Sequence, residues 1–132
     1  MTSAKRRFVV VDSCGWIEAI KGSSAAALFQ EALADPEQVI VPAIVLYEVT
    51  KHVLREAGET EAMKVASAMQ ACVVVPVDAS LALSAMKHKL ALADSLIYAT
   101  ALEHGAILLT QDAHFAGLPS VQYQPKPKTR SL

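Results

Sequence analysis

The chain has 132 residues, enough for one domain with its own core. Hydrophobic residues make up 53% and charged residues 19%, which excludes a disordered chain, and a formal net charge of -1 excludes the dense positive charge of a histone-like protein. Apolar runs such as the one around Val39 to Leu46 fall short of a membrane span, and no basic start leads into an apolar stretch with a cleavage signal, so a cytoplasmic protein without a membrane partner is expected.

Phe8 to Val11 is a short β-branched run of the kind that forms a strand buried on both faces. Asp12 and Ser13 can cap a helix through Trp16 and Ile20, which Gly22 ends. A second helix restarts at Ser23 or Ser24 and runs through Ala34, until Asp35-Pro36 stops it. Val39 to Val41 reads as a second strand. Pro42 suits the first turn of a helix reaching about Ala57, with Gly58 as its stop, and Glu59 to Ala71 forms another. Val73 to Val75 is a third strand closed by Pro76, and Asp78 caps a helix to about Lys87. Asp94 or its neighbour opens a helix ending near His104, with Gly105 in the capping position. Ala106 to Leu109 is a fourth strand, and Val121 to Tyr123 a fifth at an edge. Strands alternating with helices predict an α/β fold: a four- or five-stranded parallel sheet flanked by helices on both faces, its strand C-termini sharing one rim. No linker divides the chain, so residues 1–132 read as a single domain with short basic tails at about 1–7 and 125–132.

Those tails hold half of the basic residues: Lys5, Arg6 and Arg7 at one end, Lys126, Lys128 and Arg130 at the other. Residues 8 to 125 keep six basic residues against thirteen acidic ones, a balance that suits cations, while the tails could meet a polyanion or simply be polar and extended. Cys14 and Cys72 make neither a disulfide framework nor a zinc set, and both are read as buried free thiols. The four histidines are scattered without zinc-site spacing, and Met63 and Met69 read as packing residues.

The chemistry sits in the acids. Asp12 ends the first strand and Asp112 follows the fourth; if those strands pair in parallel, both carboxylates project from one rim and repel unless a proton or a divalent cation intervenes. Oxygen ligands favour Mg²⁺ or Mn²⁺ over zinc. Taken singly, Asp12 could equally be a helix cap and Asp112 a turn residue. Helical periodicity sets Glu48 nearly opposite Leu46, Val49 and Val53, as a solvated side chain or one reaching into a groove, with His52 at i+4 as a local partner. Asp94 lies in a stretch apolar on nearly every helical face and needs a partner: as an N-cap, near the positive end of a helix, or through a metal shared with Asp12.

Four segments in this order resemble PIN-domain ribonucleases, and among them the VapC toxins of toxin–antitoxin pairs. They are Val10-Val11-Asp12-Ser13-Cys14-Gly15-Trp16-Ile17-Glu18; Glu48 after Ile40-Val41-Pro42; Leu92-Ala93-Asp94-Ser95-Leu96-Ile97-Tyr98-Ala99-Thr100-Ala101; and Leu108-Leu109-Thr110-Gln111-Asp112-Ala113-His114-Phe115. The resemblance covers residues 8 to 124. Gln111 stands where a basic residue is common, which would remove one contact to an RNA backbone phosphate. The resemblance implies a PIN-like fold in which Asp12, Glu48, Asp94 and Asp112 meet in one acidic pocket, and so draws Glu48 into the site. It implies a Mg²⁺-dependent (or Mn²⁺-dependent) endoribonuclease with one or two ions per active site, Asp12 as the leading ligand, and products with 5′-phosphate and 3′-hydroxyl ends. It also implies a homodimer and a small VapB-like antitoxin as partners.

Around the four acids, Ser13 and Thr110 are placed to hydrogen-bond carboxylates or phosphate. Positive charge should rim the pocket for RNA, with Lys51, Arg55, Lys87, His88 and Lys89 as candidates. Trp16 could stack on a base or contact a partner chain. One rival is a non-catalytic RNA-binding or oligomerisation domain of the same fold. Another is a phosphoacceptor domain, which would need an acceptor carboxylate after a central strand and a lysine after a late one; the third strand instead ends in Pro76, and Lys126 follows the last strand only in a Pro-rich tail.

Overall fold

The structure is a computed structural model that describes residues 7–127. Lys5, Arg6, Lys128 and Arg130, and with them most of the basic tails, lie outside the described residues. The strands are β1 (Val9–Val11), β2 (Val39–Pro42), β3 (Val73–Val75), β4 (Ile107–Thr110) and β5 (Val121–Tyr123). The helices are α1 (Ser13–Lys21), α2 (Ala26–Ala32), α3 (Ala43–Ala57), α4 (Glu59–Gln70), α5 (Ala79–Ala85) and α6 (Leu92–Glu103). Short 3₁₀ turns at Pro36–Gln38 and Ala113–Phe115 complete the chain and have no forerunner in the sequence reading.

All strand pairs are parallel, in the order β3-β2-β1-β4-β5. Val9 to Val11 register with Ile107 to Leu109, and Val9 and Val10 with Val39 and Ile40. Every residue of β2 is buried, and Val10 and Val11 have no exposed surface, so the central strands are covered on both faces. α2 packs on β1, while α6 lies across β1, β2 and β4 and is backed by α5 and α3. That double contact explains why Ser95, Ile97, Tyr98, Ala99, Thr100 and Ala101 of α6 are all buried. The β3 edge is different: Val73 and Val74 are exposed, and the core gains little from them.

The boundaries follow local chemistry. Asp12 in extended conformation caps α1, accepting from the Gly15 N–H at 2.9 Å. Gly22 ends the helix at φ 68°, where a Cβ would be strained, and its N–H reaches Glu18 O at 3.1 Å. α5 stops at Ala85, before the Lys87 expected. α6 is capped by Ala91 rather than Asp94, which instead occupies the first turn.

Several side chains sit elsewhere than the sequence suggested. Cys14 is exposed and Cys72 half-buried, so neither is the buried thiol expected. Met69 is fully buried while Met63 is 60% exposed. The two are six residues apart, about 240° around a helix, and cannot share one face. Trp16 is 6% exposed and belongs to the core, which removes it from base stacking and from contact with a partner chain.

Gly15 shows why α1 lies so close to the sheet. A Cβ there would stand 2.5 Å from Val11 Cγ1 and 2.8 Å from the Phe29 ring. Helix propensity alone would make Gly15→Ala stabilising by about 1 kcal/mol. Overpacking against an immobile strand and a buried ring outweighs that gain, and Gly15→Ala should lose about 1–3 kcal/mol in urea denaturation. A variant as stable as the parent would show that the α1–β1 approach is slack.

Candidate active site

In a parallel sheet, a helix that returns the chain runs opposite to the strands, so its N-terminus stands over the strand C-termini. β1, β2 and β4 therefore deliver Asp12, the start of α3 and Asp112 to one rim, and α6 brings its first turn there. The expected adjacency of β1 and β4 is present, and the Asp12 N–H extends their ladder to Leu109 O at 3.2 Å.

Asp12 is 4% exposed and both of its oxygens are engaged. Oδ1 accepts from Gly15, and Oδ2 accepts from the Thr110 hydroxyl across the β1–β4 boundary. Thr110 Oγ1 in turn accepts the Asp112 N–H at 2.9 Å. Asp112 Oδ1 caps the following 3₁₀ turn through the His114 N–H at 2.9 Å. Both plain roles weighed from sequence, cap and turn, are thus real, and they use one carboxylate oxygen each. On the α3 side, Glu48 is half-buried and its Oε1 accepts the Ser13 hydroxyl at 2.5 Å. His52 does not serve as Glu48's partner; its Nδ1 meets Arg55 at 3.3 Å.

The carboxylates act on one another. Burial raises the pKa of Asp12; hydrogen bonds from Thr110 and Gly15 oppose it, and the charges of Asp112 and Asp94 raise it further. Asp94 is raised by burial, then by Asp112 and Glu48, with His114 pulling it down. The four acids thus form one electrostatic cluster, assembled from residues 12, 48, 94 and 112.

His114 is the residue the sequence reading missed. Its Nδ1 lies 3.2 Å from Asp112 Oδ1 and 3.8 Å from Asp94 Oδ2. Ligand atoms of Asp94, Asp112 and His114 fall within 4.8 Å of one another, a tighter group than any that includes the more buried Asp12 among the described residues. A histidine two residues beyond an aspartate that can cap its N–H was the available signal.

The candidate RNA contacts are spread more widely. Lys51 donates to Tyr47 Oη at 3.0 Å, and Arg55 pairs with Glu56 at 3.6 Å. Arg55 stands seven residues beyond Glu48 along α3, about 10 Å of helix rise away from the rim. Lys87, His88 and Lys89 occupy the turn between α5 and α6, with His88 packed edge-on against Tyr98 at 4.8 Å. Gln111 is 5% exposed with both amide atoms unpartnered, so its position faces the protein interior and not a backbone phosphate.

The PIN domain family model matches residues 9–120. The chain belongs to the PIN domain family. No curated protein sequence matches it. Among solved structures, a chain of a toxin-antitoxin complex from Klebsiella pneumoniae superposes with a TM-score of 0.73 at 24% identity, over 86% of this chain and 95% of that one. VapC20 of Mycobacterium tuberculosis, a sarcin-ricin loop cleaving toxin, gives 0.66 at 20% identity over 89% and 99%. The VapBC2 complex of Rickettsia felis, bound to a DNA fragment from its promoter, gives 0.68 at 18% identity over 89% and 98%. This PIN domain therefore shares the VapC fold.

The raised pKa of Asp94 carries a stability consequence. Its folded form holds the proton more tightly than the unfolded chain, so its contribution is full below the ordinary value of 3.8 and is lost as pH rises through the raised one. In chelator at neutral pH, Asp94→Asn should melt above the parent, with the gap closing as the pH falls toward about 4. Equal melting at every pH would mean that the acids are not in conflict.

Proposed function

We propose that this PIN domain is a divalent-metal-dependent endoribonuclease, acting in the cytoplasm as the toxin of a toxin–antitoxin pair. The observation that carries the reading is the gathering of Asp12, Glu48, Asp94 and Asp112 at one rim, where His114 meets Asp94 and Asp112. A structural network would balance such charges, whereas a cation site leaves them for an ion.

The donor set fits Mg²⁺ or Mn²⁺: hard carboxylate oxygens with one imidazole nitrogen. Asp94, Asp112 and His114 would hold the ion, one or two per site, with Asp12 and Glu48 completing the charge. When bound, it supplies Lewis-acid chemistry, offsetting charge on the phosphoryl oxygens and acidifying a water for attack. The chain's own contribution is orientation. Thr110 holds one Asp12 oxygen and the Asp112 backbone together, and Ser13 aims Glu48. A carboxylate oxygen bound once keeps a second lone pair for a cation. The products are expected to carry 5′-phosphate and 3′-hydroxyl ends.

RNA is favoured as substrate by the sarcin-ricin loop cleaving activity of the M. tuberculosis neighbour. A small VapB-like antitoxin is favoured by the Klebsiella and Rickettsia complexes. Among the described residues no helix is long and apolar enough to cross a membrane. Tyr47, Leu54 and Met63 around the α3–α4 groove, with Leu83 on α5 and Met86 just after it, leave apolar surface for the antitoxin and a second copy of the chain. The non-catalytic alternative accounts for Asp12 and Asp112 as caps but not for the mutual repulsion of Asp12, Asp94 and Asp112.

Purified protein freed of any partner should cut RNA with Mg²⁺ or Mn²⁺ and stop in chelator. Asp94→Asn should abolish cutting, and Thr110→Val should cost about 10–100-fold through a misoriented Asp12. Cutting that survives both chelation and Asp94→Asn would refute the mechanism.

A nitrogen donor suits Mn²⁺ better than Mg²⁺. Calorimetric titration should find Mn²⁺ bound more tightly, with His114→Ala narrowing the difference. An unchanged ratio would take His114 out of the coordination set.

A further inference from the structure

RNA brings a row of phosphates to a rim crowded with carboxylates, and an ion at the reacting phosphate does nothing for those flanking it. β5 runs parallel to β4, so the chain leaving β5 emerges at the catalytic rim. Its ladder continues one residue past Tyr123, with the Gln124 N–H bonded to Thr110 O at 2.8 Å. Thr110 is the residue that holds Asp12, so the exit of the last strand is pinned to the site itself.

Two residues further on, about 6–7 Å of extended chain, stands Lys126. It is exposed and lies between Pro125 and Pro127. Pro127 bars the helical region to Lys126, and Pro125 does the same to Gln124, so the segment is a stiff extended arm with little entropy to lose on binding. The parallel exit of β5 and the Gln124–Thr110 bond thus present exposed Lys126 within two extended residues of the rim.

We propose that Lys126, presented by the proline-flanked segment after β5, binds a backbone phosphate of RNA flanking the scissile bond and positions the strand over the acidic pocket. The proposal rests on the ribonuclease reading above. Lys126 is a positioning residue, and its effect belongs in substrate binding.

The test uses the full-length protein and a short fluorescein-labelled single-stranded RNA, with binding followed by anisotropy in chelator across a salt series and cleavage followed in Mn²⁺. Lys126→Gln should weaken binding several-fold and flatten the slope of log K against log salt by about 0.7, the loss of one phosphate contact to a single strand. It should raise KM with kcat little changed. Lys126→Arg should restore both, and Lys64→Gln on α4 should leave the slope unchanged. If the parent cuts RNA while Lys126→Gln and Lys126→Glu keep its KM and salt slope, this proposal fails and the ribonuclease reading stands. Tighter Mn²⁺ binding by Lys126→Gln would also overturn it, because the ammonium would then sit on the acids. A parent that neither binds nor cuts RNA would overturn both readings.

Discussion

Between the ends of β1 and β4, the Thr110 hydroxyl donates to Asp12 and accepts from the Asp112 backbone, and this relay holds two carboxylates at a spacing their charges oppose. Thr110 is completely buried, so water cannot replace it in either bond. The sheet makes the arrangement rigid: the Asp12 N–H is still part of the ladder, and the relay adds no loop whose movement could relieve the repulsion. Asp94 then enters from the first turn of α6, where the helix dipole favours a carboxylate, and Glu48 from α3 through Ser13.

The protein bears this conflict as a cost to folding. Burial is the largest influence on both Asp12 and Asp94, and neighbouring acids push both in the same direction. The usual remedies are only partly used: Gly15 and Thr110 satisfy Asp12, and His114 stands against Asp94 and Asp112. Such residual strain in an otherwise well-packed α/β domain marks a site kept for something other than stability. The same side chains also cap α1 and the last 3₁₀ turn, so structural and chemical duties are combined in single residues.

Positive charge completes the picture from outside the core. A rim that admits RNA, as proposed, needs cationic character, yet lysines or arginines packed among the acids would neutralise the pocket and compete with an ion. Placing a lysine on a stiff segment beyond the last strand separates the two demands. The proposed contact would also give Pro125-Lys126-Pro127 a use that a merely polar segment would lack.

Much of this was written in the linear order of residues. Short valine and isoleucine runs separated by helical stretches are enough to specify a parallel sheet, because only strands covered on both faces can be so uniformly apolar. Asp12 and Asp112 were legible as rim residues because each directly follows such a run. Glu48 was not: periodicity set it opposite the buried stripe of α3, and its placement depends on α1 packing alongside so that Ser13 can reach it. Trp16 and Gln111 read as surface residues and are buried, while Met63 and Cys14 read as buried and are exposed. Those outcomes turn on which helix leans on which neighbour. The partnership of His114 with Asp94 joins residues twenty positions apart across a helix and a strand, and the segment carrying Lys126 leaves β5 at the rim only because β5 is parallel to β4. Periodicity and composition determine which elements form and which faces must be hidden, since both follow from local torsions and apolar burial. Which charges meet is a property of strand order and helix packing, where interactions act through space and carry no signature in the spacing along the chain.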